Sequence, residues 1–539
     1  MNQVLAVFLD GYEQALGQQM MAAGDLPAMA ALARSSARFL LDHGPAQRTG
    51  LAGEHVATGL SPETSQHWSG VHFDPRSYAV WQEGTALRPF AADLPCRTVV
   101  FDAPYFDLMA APNVTGVVDW GAHDPGIPES SRPAELSAEL AAKFGPYPAR
   151  RWIYGTPWPS AEATDAMGRG LADAVDVRAD AACWLLRERI PNWDLALVAA
   201  SEPHSACEGL WHGIDPKHPL HHLPWAGVAG EGVRAVYRAI DRMVGKLVST
   251  FPEAQVVVFA MGGMGPNQSD VPSMLLFPEL MYRHAFGSPW FTQPPRWRAC
   301  DGTSPVLLAE TERWAHGVTD GFPEPALRRV ARRLLPPSVK RLLHKALDHQ
   351  HAAGPAEAPT RPLRTSLDWM PATAYRRFWR SMGAFALPSY YDGRIRVNLA
   401  GRESRGTVDP RQYRRTLQDA ENAVRACVNP ATGESVVDFV ECPALDDPFA
   451  VPPSQADLIV VWKGGPMAFV HPTLGRIGPV PYRRTGGHTG RYGMAFLHAD
   501  RCVAGDRGVR SAFDVVPTLL DLMGQPRPPA MSGTSLLQN

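Results

Sequence analysis

Asp10, His204, Glu208 and His488 are the residues whose types and spacing suit chemistry at a bound cation. Asp10 follows six apolar residues and precedes a glycine, the pattern of a buried strand that ends in a turn. His204 and Glu208 stand four apart, so they can face one ion from a helix. His488 lies beside glycines that permit close backbone approach. Two imidazoles and a carboxylate leave an open position on zinc, which indicates a catalytic metal site.

Strand and helix patterns alternate along the chain and would bring these residues together. Buried strands are predicted at Val4–Leu9, Asp194–Ala200 and Val256–Ala260, with helical patterns between them. Such alternation indicates an α/β fold with a mostly parallel central sheet that carries helices on both faces. In such sheets the carboxyl ends of the strands meet at one crevice. We therefore expect the chemistry to lie there.

The composition excludes several classes of protein. The 539 residues are 45% hydrophobic and 20% charged with a net charge of −2, which favours a globular chain over a disordered or polyanion-binding one, and we predict no nucleic acid partner. Seven scattered cysteines without a CxxC pair favour free thiols. The start of the chain lacks a basic segment, and no apolar run reaches the ~20 residues that span a bilayer. A cytoplasmic location is expected.

We predict a division of the chain into a first part of the core at residues 1–278, an inserted cap at 279–379 and a second part of the core at 380–539. The sheet is expected to resume at Gly393–Leu399. The cap is rich in Pro, Trp and Arg, and its basic helical segment at 327–347 either contacts a membrane or an anionic partner or forms a solvated face.

Other polar residues have two open interpretations each. His123 follows a predicted strand and either lines a substrate pocket or belongs to a polar turn. Arg483 and Arg484 either bind an anionic substrate or carry surface charge. Thr49 either caps a short helix or acts in chemistry. The histidines of one further cluster either bind metal or lie in an exposed loop, and these are His212, His218, His221 and His222.

A set of short motifs occurs in the order found in the alkaline phosphatase superfamily, and the chain resembles its type I phosphodiesterase/nucleotide pyrophosphatase branch. The matches cover both ends of the chain and skip the predicted cap. The motifs are Asp10-Gly11, Thr49 nine residues before Thr58-Gly59, Glu202-Pro203-His204, Gly263-Met264-Gly265, Gly487-His488 and the run from Asp514 to Gly524.

The resemblance implies a two-metal α/β hydrolase of the alkaline phosphatase-like three-layer type. Thr49 matches the nucleophile and Asp10 a ligand of the ion that activates it. The remaining matched positions hold the other ion, and these are His204, Glu208 and His488. Two cations stabilise the entering and leaving oxygens of an in-line displacement. Arg48 and the amides near Thr49 are candidates for binding the anion.

The chain departs from the family pattern at two places. His204 and Glu208 stand where the superfamily usually has Asp and His. Met261 and Gly262 replace an Asp-His pair, so the second ion loses two expected ligands. Asp270 and His55 are candidates to compensate.

Two functions follow from these motifs. The first is metal-dependent hydrolysis or group transfer at a phosphodiester, phosphomonoester or sulfate ester through a covalent Thr49 intermediate, with one or two ions, most simply zinc. The second is a catalytically impaired relative that binds an anionic ligand or partner, as Met261 and Gly262 suggest. The substrate in either case is a small anion.

Overall fold

The computed structural model describes residues 3–124, 126–297, 306–309, 312–323, 363–443 and 445–538. The predicted basic segment at 327–347 therefore lies outside the described residues, as does Cys300. Six cysteines fall within these ranges, and all six are free thiols. Within the same ranges, no helix combines the length and apolar character needed to cross a membrane.

The chain forms twenty strands and twelve α-helices over these residues. The strands are β1 (Val4–Leu9), β2 (Ala37–Asp42), β3 (Val71–Asp74), β4 (Ala79–Glu83), β5 (Thr98–Phe101), β6 (Val114–Val118), β7 (Ser130–Arg132), β8 (Leu195–Ala200), β9 (Gln255–Ala260), β10 (Gly263–Pro266), β11 (Arg364–Ser366), β12 (Ala384–Leu387), β13 (Gly393–Val397), β14 (Val437–Glu441), β15 (Leu458–Trp462), β16 (Phe469–His471), β17 (Gly475–Ile477), β18 (Gly486–Gly490), β19 (Gly493–His498) and β20 (Gly505–Ser511). The helices are α1 (Gln14–Ala23), α2 (Pro27–Ser35), α3 (Ala52–Thr58), α4 (Pro62–Ser65), α5 (Leu136–Phe144), α6 (Ala161–Trp184), α7 (Glu202–Leu210), α8 (Ala226–Thr250), α9 (Phe277–Phe286), α10 (Trp314–Thr319), α11 (Tyr413–Arg425) and α12 (Val515–Leu522).

Shorter 3-10 or π turns connect several of these elements. They lie at Gly44–Thr49, Arg150–Trp152, Leu185–Arg189, Trp211–Gly213, Pro272–Leu276, Pro295–Trp297, Pro371–Ser381, Pro410–Gln412 and Ala512–Asp514.

A nine-stranded sheet in the order β20-β2-β19-β9-β1-β8-β5-β6-β7 forms the centre of the molecule. The strands β9, β1, β8, β5 and β6 run parallel to one another, whereas β19 and β7 are antiparallel to their neighbours. The predicted mostly parallel α/β sheet is thereby confirmed. Because five neighbouring strands share one direction, their carboxyl ends lie at the same edge.

Both faces of this sheet are covered. Alternate residues of β1 point to opposite sides, so Leu5, Val7 and Leu9 pack with α1, α2, α6 and α8, while Val4 and Phe8 pack with α3 and α12. All six residues of β1 are buried. The uniformly apolar sequence of this strand is the consequence of burial on two faces.

A second sheet lies outside the central one and differs from the prediction that the core sheet resumes at Gly393. Strands β12, β13, β15 and β14 pair antiparallel in that order and do not join the central sheet. They share an apolar core with α9, α11 and the hairpin β3–β4. Strand patterns alone do not state which sheet a strand joins, and this is the reason for the difference. The division at residues 278 and 379 stays a prediction.

The segment at residues 24–40 has apolar positions at helical spacing, which predicts a helix over it. In the structure α2 ends at Ser35 and β2 starts at Ala37. Alternate residues of β2 are buried between strands β19 and β20. Long-range pairing therefore outweighs the local helical pattern here.

The two long helices α6 and α8 cross at a pair of glycines, which gives a test of their packing. A Cβ atom on Gly168 would lie 2.5 Å from the Cα of Gly232, so Gly168→Ala should force the helices apart and lower the free energy of unfolding by about 1–3 kcal/mol. Gly227 lies in α8 with open space around it, and Gly227→Ala should raise that free energy by about 0.4–1 kcal/mol. Urea unfolding measures both; equal effects would contradict the packing described.

Candidate metal centre

The polar residues of the candidate site follow the carboxyl ends of three parallel strands of the central sheet, β1, β8 and β6. Asp10 comes directly after β1, and α7, which carries His204 and Glu208, starts two residues after β8. His123 lies in the loop that follows β6. The predicted meeting of these strand ends at one edge is what brings the side chains together.

Helix α7 sets the relative positions of two of these residues. Glu202 and Pro203 occupy its first turn, where a proline is tolerated because its missing N–H would have no helical partner. All nine residues of α7 are buried. His204 and Glu208 then face the same side one turn apart, with His204 Nε2 3.3 Å from Glu208 Oε1.

A close backbone approach brings His204 beside Asp10. Gly11 has a φ of +65°, and a Cβ atom there would lie 2.5 Å from both Cα and Cβ of His204. Only glycine permits this turn at this distance. The imidazole Nδ1 of His204 consequently lies 3.0 Å from Oδ2 of Asp10.

His488 reaches the site on a separate two-stranded ribbon. Its strand, β18, pairs antiparallel with β10, which starts three residues after β9 ends. The Nε2 atom of His488 lies 3.0 Å from His204 Nε2. The residues matched to one metal site by the sequence are therefore adjacent to His204 in space.

His123, His204 and Glu208 each offer a ligand atom, and these atoms lie within 4.8 Å of one another. His123 Nε2 lies 3.0 Å from Glu208 Oε2, and its ring stacks on that of His204 at 3.8 Å between centroids. In the described ranges, this is the one group of three or more His, Cys, Asp or Glu residues whose ligand atoms lie that close together. Ligand atoms of a tetrahedral zinc site are about 3.3 Å apart, so the separations around His204 fit one ion.

Burial and mutual charge govern protonation in this group. Burial opposes a charged His204, but the carboxylates of Asp10 and Glu208 prevail and raise the pKa of His204 to about 10. Burial would raise the pKa of Asp10, yet His204 holds it below its usual value. Burial beside His204 lowers the pKa of His488 to about 3. The carboxylates of Asp10 and Glu208 thus stabilise a positive charge on His204, and a bound cation would supply the same charge.

Two arginines lie behind the donor group, away from the molecular surface. Arg484 is buried and its Nη1 contacts Glu208 Oε1. Arg483 Nη1 lies 2.5 Å from Asp270 Oδ2. The interpretation of Arg484 as surface charge is therefore wrong. Asp270, a candidate to compensate for the missing ligands, is held by Arg483 and lies 3.9 Å from Arg484 Nε.

A pocket of about 560 Å³, its open mouth included, lies over these residues. Among the described residues, its lining contains the carboxylates of Asp10 and Asp124 and four histidines, with no lysine or arginine. The histidines are His43, His123, His204 and His488. Each carboxylate of the lining lies beside an imidazole, Asp10 beside His204 and Asp124 beside His123.

Thr49 ends the 3-10 turn that precedes α3, and its flanking residues Gln47 and Gly50 line the pocket. The hydroxyl of Thr49 donates to the carbonyl of Ala46 at 2.6 Å and accepts from the Leu51 amide at 3.2 Å. The helix begins at Ala52 with Leu51 as its N-cap residue and without a side-chain cap, so the interpretation of Thr49 as a helix cap is wrong. Its predicted role as nucleophile stays a prediction.

The residues matched to the second ion do not form a donor group. Met261 is buried, and Gly262 faces Gln47, whose side chain would lie 3.2 Å from an added Cβ atom. Gln47 Nε2 donates to the carbonyl of Gly490 at 2.8 Å. His55, the other candidate to compensate, has its Nδ1 2.9 Å from His43 Nε2. A second ion therefore does not fit the donors that surround these positions.

The other predicted candidates lie in different surroundings. Arg48 pairs with Glu441 at 2.8 Å. Of the further histidine cluster, His212 and His218 are buried and His222 is exposed. None of its members belongs to the converging donor group of the described residues.

Arg178, which sequence reasoning missed, joins the two segments that carry the donors. It is fully buried on α6, where its Nη1 donates to Asp102 Oδ2 at 2.6 Å and its Nε donates to Glu202 Oε1 at 2.9 Å. Asp102 accepts from the amides of Trp120 and Gly121, in the loop that leads to His123. Arg178 thereby ties this loop to the start of α7. In the sequence, Arg178 is a single arginine within a helical pattern, and nothing in that pattern indicates this role.

No protein-family model and no curated protein sequence matches the chain. Solved structures do match over nearly its whole length. A phosphonoacetate hydrolase from Sinorhizobium meliloti 1021 in complex with phosphonoformate is 14% identical, with 97% of this chain and 96% of that chain covered and a TM-score of 0.49.

Two further matches belong to mammals. A murine ectonucleotide pyrophosphatase/phosphodiesterase 5, in an inactive form with AMP, is 10% identical, with 99% of this chain and 98% of that chain covered and a TM-score of 0.46. The human protein of that name is 11% identical, with coverages of 99% and 97% and a TM-score of 0.42. At these values the likeness assigns neither an activity nor a site residue to this chain.

Removal of Arg178 should loosen the donor group as well as the core. Arg178→Met leaves two buried carboxylates unpaired, so we expect the free energy of unfolding to fall by about 3–5 kcal/mol and metal affinity to fall by about 10–100-fold. Urea unfolding and competition with a chromophoric chelator measure the two effects. Arg169→Met, on the exposed side of the same helix, is the matched control and should change stability by less than about 0.5 kcal/mol. A folded Arg178→Met protein with unchanged metal affinity would contradict the positioning role.

Proposed function

We propose that the protein is a metal-dependent hydrolase, or a transferase, that acts on a phosphodiester, phosphomonoester or sulfate ester. The observation that carries the proposal is the convergence of His123, His204 and Glu208 beside Asp10 and His488 at the carboxyl edge of the sheet. This arrangement places imidazole and carboxylate donors, among them Asp10, His204 and His488, in the lining of an open pocket.

A cation would supply the positive charge that an anionic ester needs in this pocket. The carboxylates of Asp10 and Asp124 each lie beside an imidazole, and Arg484 and Arg483 are paired with Glu208 and Asp270. A bound metal ion makes the local potential positive and anion binding favourable.

The donor set favours zinc. His123, His204 and Glu208 supply two nitrogens and one oxygen, with His488 adjacent as a further nitrogen, and zinc binds such donors with an open position. When bound, the ion would polarise the ester oxygens and neutralise developing charge. The protein's own part is to hold these donors at fixed separations, through α7 and the Arg178 network, and to exclude water from their outer side.

Thr49 is the proposed nucleophile, on the strength of its place in the motif order. The neighbours Gln47 and Gly50 line the pocket, which brings this turn to the substrate. Its hydroxyl proton is donated to Ala46, so attack requires the hydroxyl to release that carbonyl. A covalent intermediate on Thr49 would then be released by water, or by an alcohol in the case of transfer.

A second function, binding of an anionic ligand without turnover, is favoured by one observation. Met261 and Gly262 leave no donor group for a second ion, and the family mechanism uses two. The proposed substrate or ligand in both cases is a small anion. We place the protein in the cytoplasm because its described cysteines are unpaired.

Metal analysis tests the proposed function directly. Protein purified without chelator should carry about one transition ion per chain, measured by mass spectrometry of the metal, and Glu208→Gln should lower metal affinity by at least about tenfold. His471→Gln is the matched control, since His471 lies in β16 away from the pocket lining.

Turnover completes this test. Hydrolysis of bis(p-nitrophenyl) phosphate, p-nitrophenyl phosphate or p-nitrophenyl sulfate should disappear with chelator and return with zinc. A chain that binds no ion would exclude the proposed function. An ion without turnover of any of the three esters would favour ligand binding alone.

Thr49 can be tested separately. Thr49→Ala should reduce kcat by at least about 100-fold, because no side-chain oxygen remains to form the intermediate, while Thr49→Ser keeps a nucleophile and should retain measurable turnover. The rate of p-nitrophenol release and the metal content are measured for both variants. Activity of Thr49→Ala equal to that of the wild type, at equal metal content, would assign the attack to water.

A further inference from the structure

A hydrogen-bonded pair of buried histidines, His43 and His55, lies at the pocket outside the donor group. His43 lines the pocket, and its Nε2 lies 2.9 Å from Nδ1 of His55. Both side chains are almost fully buried, and the ring of Phe513 packs against each of them at 5.2–5.4 Å between centroids. His43 also precedes the 3-10 turn that ends at Thr49, but its side chain does not cap that turn.

This pair is not needed to satisfy the polar groups of the core. His55 Nε2 is buried and has no hydrogen-bond partner, and such a group costs about 1–3 kcal/mol. An apolar side chain at the same place would avoid this cost. Since His43 Nε2 is taken by His55, the nitrogen that His43 has left for a ligand is Nδ1.

Gln47, Met261 and Gly262 line the same pocket as His43 and carry no charge. None of them belongs to the converging donor group of the described residues. Burial lowers the pKa of His43 to about 4 and holds the pKa of His55 well below its usual value. Both rings are therefore neutral at neutral pH, and a lone pair on His43 is free to accept a proton.

We propose that His43 is a proton-transfer residue of this pocket and that His55 is the positioning residue that fixes its tautomer. The proposal rests on the proposed function, since it assigns a step of that reaction. With His43 Nε2–H donating to His55 Nδ1, the Nδ1 atom of His43 carries no proton. An anionic ester bound in the pocket stabilises the imidazolium that forms when Nδ1 accepts one.

The step balances as follows when water releases the intermediate from Thr49. A water O–H bond breaks, its proton moves to His43 Nδ1, and the water oxygen bonds to phosphorus or sulfur. The bond from that atom to Thr49 Oγ1 breaks, and the electron pair stays on the threonine oxygen. Because the entering and leaving oxygens lie on opposite sides of that atom, the threonine oxygen takes up a proton from solvent, and His43 returns to its neutral form by releasing its proton to solvent. No oxidant or further reactant is required.

Chemical rescue tests this assignment. Zinc-loaded wild type, His43→Ala and His43→Gln are compared for hydrolysis of bis(p-nitrophenyl) phosphate, with and without added imidazole. We expect kcat to fall by about 100-fold or more in both variants with KM changed only severalfold, because general base catalysis contributes about that much. Imidazole should restore kcat of His43→Ala in a concentration-dependent way, and should not restore His43→Gln, whose side chain fills the space.

His55 has its own readout. His55→Asn keeps a side-chain acceptor for His43 Nε2 and should retain much more of kcat than His55→Leu, at equal metal content. A protein in which only the packing of His55 matters would show the opposite order, and that result would overturn its positioning role. His471→Gln is the matched control and should behave as the wild type.

The outcomes distinguish failure of the role of His43 from failure of the proposed function. An active wild type together with a His43→Ala variant within threefold of it, or with a loss that imidazole does not reverse, would overturn the role of His43 and leave the proposed function standing. If His43→Ala does not fold, wild-type kcat in His43→Gln would overturn the role in the same way. A metal-loaded wild type without turnover would overturn the proposed function, and the role of His43 with it.

Discussion

Several carboxylates lie close together at one edge of the sheet, and positive charge beside them is required to stabilise them. The arrangement of the site depends on this constraint. Asp10, Glu208 and Asp124 lie within a few side chains of one another because β1, β8 and β6 are parallel and end at the same edge. An isolated carboxylate in such surroundings is strongly disfavoured. Arg484 supplies positive charge to Glu208, and His204 contacts the carboxylates of both Asp10 and Glu208. A bound cation in front of them extends the same balance into the pocket.

The pocket combines two kinds of histidine. His123 and His204 converge with Glu208, while His43 is held in a neutral pair with His55. Met261 and Gly262, at the positions matched to a second ion, carry neither a carboxylate nor an imidazole. The proposed division of labour is charge stabilisation by one ion and proton transfer by His43.

The sequence predicted those parts of the site that depend on strand ends and helical spacing. The apolar run before Asp10, the four-residue step from His204 to Glu208 and the alternation of strands with helices are local patterns, and the structure confirms the sheet that they imply. Contacts between residues far apart in the sequence produce no local pattern and could not be predicted. Strand β13 pairs with β15, whose residues are more than sixty positions away in the sequence. Arg178 looks like an ordinary polar residue of a helix, and its contact with Asp102 is not visible in the local sequence. His123 was visible as a residue after a strand, but its place among the donors depends on a loop held by Arg178 through Asp102.

The central claim is that one cation binds at His204 and Glu208 and that the neighbouring wall beside Met261 binds none. Crystals of protein purified without chelator, measured above and below the zinc absorption edge, test it most directly. The account predicts a single strong anomalous peak within bonding distance of His204 Nε2 and a Glu208 oxygen, with no peak near Thr49 and Gly262. A map with two peaks, or with none at His204, would contradict it.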